Sequence, residues 1–382
     1  MIAGAGVAGL CSAIALRERG IEVTVLERAS AAEEIQVGGC IHVWHNGMRG
    51  LQRIGVGEKL LELAGAAAVV ERAEFRTSGG GLMYGWSVEK TEGLVGAPTF
   101  GVRRPDLHKV LLEAVDDDTV RFGETCVGFE QDDSGVRARL QSGGEERGDV
   151  LIAADGMRSA LRKELAGATE LRYAGYVSWQ AIARVGTDVV PVGQFRVMWG
   201  RGARFLFYRI GPEEVYWEGT FAAPAGGGEP VEQRREAVLE RFAGWAAPVE
   251  TIVNATETTA ITRADMYDRP TSKQWGVGRV TLIGDAAHAM TNALGQGANQ
   301  AIEDAVVLAR CLADGASPAQ GLRDYEAERI PRTSKFASMS WSLARASRLN
   351  NPLACAMRNT GLRMGFRVGF ARQHPKDMGY SF

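Results

Sequence analysis

The 382-residue chain is short of the features that usually announce a class. Lys+Arg 44 against Asp+Glu 46 leaves a formal net charge of -2. There is no basic excess to neutralise phosphates, which argues against nucleic acid as the main partner, and no single-signed field to steer a charged surface. Five cysteines (Cys11, Cys40, Cys126, Cys311, Cys355) are scattered and contain no C-x-x-C. That pattern argues against a disulfide frame or a zinc site and fits reduced thiols in the cytoplasm. No apolar run reaches the ~18 residues of a membrane span. A glycine motif follows Met1 at once, so no secretory signal is expected. Repeats and low-complexity tracts are missing too.

What is present is enough residues for a large core, with two domains or one large one as the starting expectation. Residues 2–29 read as strand, turn, helix, strand, with a first strand so short that a start called too late, or trimmed numbering, would account for it. Gly4-Ala5-Gly6-Val7-Ala8-Gly9 opens an Ala/Leu-rich helix, and Ile21, Val23, Val25 and Leu26 lead to Glu27. Glycines at Gly4, Gly6 and Gly9 permit a tight turn and let a pyrophosphate approach a helix N-terminus, where free N–H groups favour an anion. Glu27 lies 18 residues past Gly9, placed to accept ribose hydroxyls. That spacing does not separate NAD from FAD.

A second constellation does. The apolar run Val280-Thr281-Leu282-Ile283 delivers Gly284-Asp285-Ala286-Ala287-His288, followed by Gly295-Gln296-Gly297-Ala298-Asn299 and a helix. A strand thus offers a carboxylate to a polyol, and a glycine turn offers N–H groups to a polar ring edge. Here the chain resembles the FAD-dependent aromatic hydroxylases of the para-hydroxybenzoate and salicylate hydroxylase type. Ala154-Asp155-Gly156 looks like that family's Asp-Gly motif, and Val102-Arg103-Arg104-Pro105-Asp106-Leu107 like its arginine segment. Gly38-Gly39 with Asn46-Gly47 is similar to its loop beside the flavin ring. Tyr173 to Trp179 and Trp199 to Gly202 resemble the salicylate, urate and carotenoid-epoxidising branch.

The resemblance implies a Rossmann-type α/β FAD-binding domain, an inserted antiparallel β-sheet substrate domain and a C-terminal helical segment. The expected division is 1–75, 100–170 and 268–325 for FAD, 76–99 and 171–267 for substrate, and 326–382 for the helices. It implies FAD held by Gly4, Gly6, Gly9, Glu27, Arg28, Gly39, Arg104, Val127, Asp155, Asp285, Gly295, Gly297 and Ala298. NADPH or NADH would be the reductant, and molecular oxygen the second co-substrate. A flavin 4a-hydroperoxide would then hydroxylate or epoxidise an aromatic or polycyclic small molecule. No metal is expected, and the oligomer is expected to be a monomer or homodimer. A flavoenzyme catalysing cyclisation or reduction, and a non-catalytic flavin-binding module, stay open at this point.

For the substrate pocket, the aromatic strands between residues 175 and 222 nominate Trp179, Phe195, Phe207 and Trp217, with Asn292 in place of the family's usual proline. Period-2 alternation should turn about half of such aromatics toward a ligand. His42 is a candidate general base or substrate donor, set beside an ordinary structural role. His288 reads as a packed structural residue, and Arg204 and Arg209 as solvated surface charges. Gln180 stands where many relatives carry arginine, which favours a bulky, largely apolar substrate over a small carboxylate. The Met/Arg/aromatic tail (Met357, Arg358, Met364, Phe366, Phe370) reads as an amphipathic helix packed on the core or on a second copy.

Overall fold

The computed structural model describes residues 1–36, 38–167 and 170–382. Its organising element is a five-stranded sheet in the order Val280–Leu282, Leu151–Ala153, Ile2–Ala3, Val25–Glu27, Val120–Phe122, with every neighbouring pair parallel. The first four strands are short and fully buried, as expected of a parallel sheet covered on both faces. Parallel strands release their carboxyl ends at one edge. The turns carrying Gly4, Arg28, Asp155 and Asp285, far apart in sequence, therefore meet there.

The helices Val7–Arg17 and Gly297–Asp314 pack against each other beside this sheet. Gly284 lets the last strand turn between them. Its φ of 59° is one that side chains rarely adopt, and a Cβ there would lie 2.8 Å from that of Ala8.

A seven-stranded sheet forms the second layer, in the order Thr262–Asp268, Arg172–Arg184, Glu214–Ala222, Ala203–Arg209, Gly193–Trp199, Val70–Thr77, Leu82–Ser87. It is antiparallel except where Val70–Thr77 runs parallel to Gly193–Trp199. Val70–Thr77 and Leu82–Ser87, which precede the other strands in the chain, join this sheet at one edge, and Val70–Thr77 spans the expected boundary at residue 75.

One face of this sheet packs on Val238, Phe242, Val249, Ile252 and Val253. Arg209, expected at the surface, is instead 1% exposed within this layer. Its guanidinium donates to the carbonyls of Val185, Val190, Gly211 and Pro212, tying the strand ends together. The opposite face looks toward the parallel sheet.

A small antiparallel sheet (Cys126–Asp132, Gly135–Leu140, Glu145–Gly148) flanks the parallel sheet. The chain closes with helices Pro318–Ser347 and Pro352–Gly365, a π-turn at Phe366–Phe370 and the helix Ala371–Met378. Fully buried Arg329 locks the first of these to Gly297–Asp314, pairing with Glu303 at 2.5 Å and Asp304 at 2.7 Å. Removing one partner from such a network costs about 3–5 kcal/mol, because it strands a buried charge.

Candidate active site

The glycine turn is built to leave one space open and to fill the others. A Cβ on Gly4 would stand 2.5 Å from the carbonyl oxygen of Ala154, and one on Gly9 1.9 Å from that of Gly4. Gly4 adopts a φ of 106° to pass over the neighbouring strand end. At Gly6 a Cβ would meet nothing within 4 Å. The turn is therefore packed tightly underneath and empty at the mouth of its helix, where the amide groups point.

Glu27 has a different first duty from the one its spacing suggested. Its two carboxylate oxygens accept the N–H groups of Ala5 (2.7 Å) and Ala29 (2.9 Å), so it braces the turn. Each oxygen keeps a second lone pair that could take a ribose hydroxyl. Arg28 follows it, exposed at the sheet edge.

Asp155 caps the helix Ala160–Ala166, its Oδ2 accepting from the amides of Ala160 and Leu161. Its Oδ1 is buried without a hydrogen-bond partner. Burial pushes this carboxyl above the ordinary aspartate range, against the pull of the hydrogen bonds it accepts. Val127, 44% exposed, lies on the flanking sheet beside it.

Asp285 starts a short helix and is exposed in the cleft. The surrounding walls raise its pKa, while His288 and Arg104 pull it down. Arg104 begins the helix Arg104–Glu113, with its amide on the Gly39 carbonyl and its side chain across Gly38. Gly295, with a φ of 62°, ends a short turn, and Gly297 opens the eighteen-residue helix Gly297–Asp314. A Cβ on Gly297 would again meet nothing within 4 Å. These two open glycine sites, the orphaned Asp155 oxygen and exposed Asp285 make a cradle suited to a dinucleotide with a polar ring system. Asp285→Ala should lower FAD retention at least about tenfold, read as flavin absorbance after gel filtration; full occupancy would remove Asp285 from the site.

A cavity of about 1040 Å³ runs from Asp285 and residues 295–298 toward the seven-stranded sheet. Phe195 and Asn292 line it as expected. Trp179, Phe207 and Trp217 do not: they pack on the far face of the sheet with Val238 and Phe242. Alternation was the right rule with the wrong parity, since the cavity is faced instead by Leu206, Tyr208, Tyr216 and Glu218.

Arg204, expected in solvent, is 4% exposed in this wall. It bonds Glu218 at 3.2 Å and the carbonyl of Ala293 at 2.9 Å. Burial lifts the Glu218 pKa while Arg204 opposes the rise. The two charges largely cancel, so the polar end of the cavity carries little net charge. Tyr176 donates to Asn292 (2.6 Å) and Tyr216 to Gln180 (2.7 Å), which fixes those amides at its rim.

His42 also lines the cavity, in van der Waals contact with Trp44, Phe195 and Tyr208. Thr99 gives its hydroxyl proton to the carbonyl of Val43, so its oxygen receives the Nε2–H of His42 at 2.9 Å. Burial holds the His42 pKa down at about 3, so the ring is neutral at neutral pH, and its Nδ1 is buried without a hydrogen-bond partner.

Two positioning groups were missed by sequence reasoning. Asn299 takes the amide of Trp44 on its oxygen and donates to the carbonyls of His42 and Gly295. Asp304 holds His288 at 2.5 Å and the amide of Gly284. Burial opposes its ionisation, yet His288 and Arg329 outweigh that and hold it below the usual range. The signal was present as polar residues on the buried side of a helix, at 299, 300, 303 and 304.

Comparison with known proteins gives the family. A family model described as an FAD binding domain matches residues 1–340. The chain is 38% identical over 368 residues to the aurachin C monooxygenase/isomerase of Stigmatella aurantiaca, covering 95% of this chain and 93% of that protein. It is 34% identical to an FAD-dependent urate hydroxylase of Klebsiella pneumoniae, covering 87% and 86%. The crystal structure of Klebsiella pneumoniae HpxO complexed with FAD and uric acid superposes with a TM-score of 0.89 at 29% identity, over 99% of this chain and 96% of that one.

Proposed function

The chain belongs to the FAD-binding-domain family of flavin-dependent monooxygenases, and from that premise we propose that it oxygenates an uncharged, flat aromatic or polycyclic compound. One observation carries the reading: a cavity joins the cofactor cradle to an aromatic chamber in which the buried Arg204–Glu218 pair is internally neutralised.

FAD is the cofactor, and when reduced by NADPH or NADH it supplies the activation of molecular oxygen. Gly4, Gly6, Gly9 and Glu27 would hold the adenine-nucleotide half, with Arg28, Arg104 and Asp155 near the phosphates and ribose. Asp285 would take the ribityl chain, while Gly39 and residues 295–298 would lie along the ring. Phe195, Tyr208 and Trp44, packed together around His42, would give a planar substrate one aromatic wall and keep water out of the site. Tyr216, Gln180 and Asn292 present fixed donors and acceptors to its polar edge. A substrate carboxylate would find Arg204 already paired, so the site discriminates against anions. We divide the chain into a discontinuous FAD domain, the seven-stranded substrate domain and C-terminal helices. The five free thiols fit a cytoplasmic enzyme, working as monomer or homodimer.

The test is NADPH and NADH oxidation in air by FAD-loaded protein, with a panel of neutral aromatics and their carboxylate analogues, followed by product mass under labelled dioxygen. A neutral compound should raise turnover about tenfold or more over its carboxylate analogue and gain one labelled oxygen atom. Reductant consumption with no label in any product would replace oxygenation by a non-oxygenase flavin reaction.

A further inference from the structure

Residues 330–376 contain nine arginines and lysines and no aspartate or glutamate, in a chain whose net charge is -2. Arg332 and Lys335 are used inside the fold, on Glu303 and Asp377. Arg358 is buried, donating to the carbonyl of Gly200. Arg345, Arg363, Arg367, Arg372 and Lys376 remain exposed.

The same segment concentrates exposed apolar side chains. Of the twelve exposed large hydrophobic residues among those described, five fall between positions 349 and 368. Leu353, Met357, Met364 and Val368 are each 64–71% exposed. At 3.6 residues per turn Leu353, Met357 and Met364 share one face roughly 40° wide, followed by exposed Val368 on the π-turn, with exposed Arg363 and Arg367 next to them in the chain. The opposite face is occupied: Leu362, Phe366 and Phe370 line the large cavity, with Phe366 stacked on Phe75 and Tyr84. The tail thus packs on the core as its amphipathic pattern suggested, but it carries a second apolar face outward.

We propose that this outer face docks the protein, reversibly, on an anionic lipid surface. Apolar side chains embed to shallow depth while flanking arginines meet lipid phosphates, the arrangement of an interfacial helix. Among the described residues no helix is long and apolar enough to cross a membrane, so the segment lies on the bilayer. Charge decides against a second copy of the chain: a two-fold contact would set this acid-free, basic face against itself. The inner face of the same segment walls the cavity, and Gly361, Gly365 and Gly369 border it with nothing within 4 Å of a would-be Cβ. A compound dissolved in lipid would therefore have a short apolar route inward. Docking itself does not rest on the oxygenase reading; the route for substrate does.

The experiment is vesicle flotation of the FAD-loaded full chain, with phosphatidylcholine alone and with phosphatidylcholine mixed with phosphatidylglycerol. Binding should be at least about tenfold tighter on the anionic vesicles and weaken with salt. It should disappear in a variant carrying Leu353→Gln, Met357→Gln, Met364→Gln and Val368→Gln, while flavin content and turnover of a water-soluble substrate stay at parent level. A second variant, Arg363→Gln with Arg367→Gln, should keep its fold and lose the preference for anionic lipid. Failure of the parent to float with either vesicle overturns the proposal. So does a dimer that the glutamine variants dissociate, or capture by an acidic protein or nucleic acid with no vesicle binding. Loss of turnover with lipid binding intact would instead count against the catalytic reading.

Discussion

Gly6→Val should fold as the parent does and purify colourless. Gly6 has an ordinary extended backbone (φ −71°, ψ −178°), and its Cβ would meet nothing within 4 Å. The side chain therefore costs the apo fold almost nothing. It would, however, fill the space at the helix mouth into which the amides of the turn point, and an anion held there needs direct approach to those amides. FAD affinity should fall at least about a hundredfold, or roughly 3 kcal/mol. The reading is flavin titration by fluorescence quenching, with circular dichroism and thermal midpoint as fold controls. Gly9→Ala is the contrast, since its Cβ would sit 1.9 Å from the Gly4 carbonyl oxygen and should destabilise the apo protein itself. A yellow Gly6→Val protein of parental affinity would show that the pyrophosphate does not use this turn.

Acid should be the second large effect, well above the range in which carboxylates titrate. All five histidines are buried. Burial holds His42 and His374 at about 3 and His108 at about 4, and it lowers His45 as well. Unfolded, each returns to roughly 6.5. These folded-state values are depressed, so the stabilisation is complete above the unfolded pKa. It is lost as pH falls, because only the unfolded chain takes up the protons. From about pH 7.5 to about pH 5.5, three such histidines remove on the order of 4 kcal/mol of unfolding free energy. The raised carboxyls Asp155, Asp285 and Glu218 work in the other direction as they take up protons in the folded protein. Urea unfolding with constant excess FAD checks this. A midpoint that stays put across the window would mean that the rings are protonated in the folded protein.

How far the cofactor side was legible follows from its chemistry. A tight turn needs glycine, an anion needs free amides, and a strand end needs its acid nearby, all within a few tens of residues. Gly4, Gly6, Gly9 and Asp285 stand out locally and Asp155 through the family resemblance, and they lie at one sheet edge. Even there, Glu27 was assigned to a ligand when its nearer partners were the amides of Ala5 and Ala29. The substrate side was less legible. Trp179, Phe207 and Trp217 stand out as aromatics on alternating strands, but nothing local tells a strand which face another layer will cover. Slipping the choice by one residue inverts every side chain. Arg204 and Arg209 were misjudged for the same reason, because burial of an arginine depends on carbonyls and carboxylates supplied from distant segments.

The sequence by itself determined the family and its flavin cofactor, since the motifs that carry the resemblance rest on short-range spacing and backbone conformation. Only the tertiary structure decided which face of the seven-stranded sheet meets the cavity and that Arg204 is neutralised by Glu218. It alone showed the neutral His42 locked by Thr99, and an outward apolar face on the C-terminal helices. Each of these depends on what packs against a residue from far along the chain, and no local pattern carries that information.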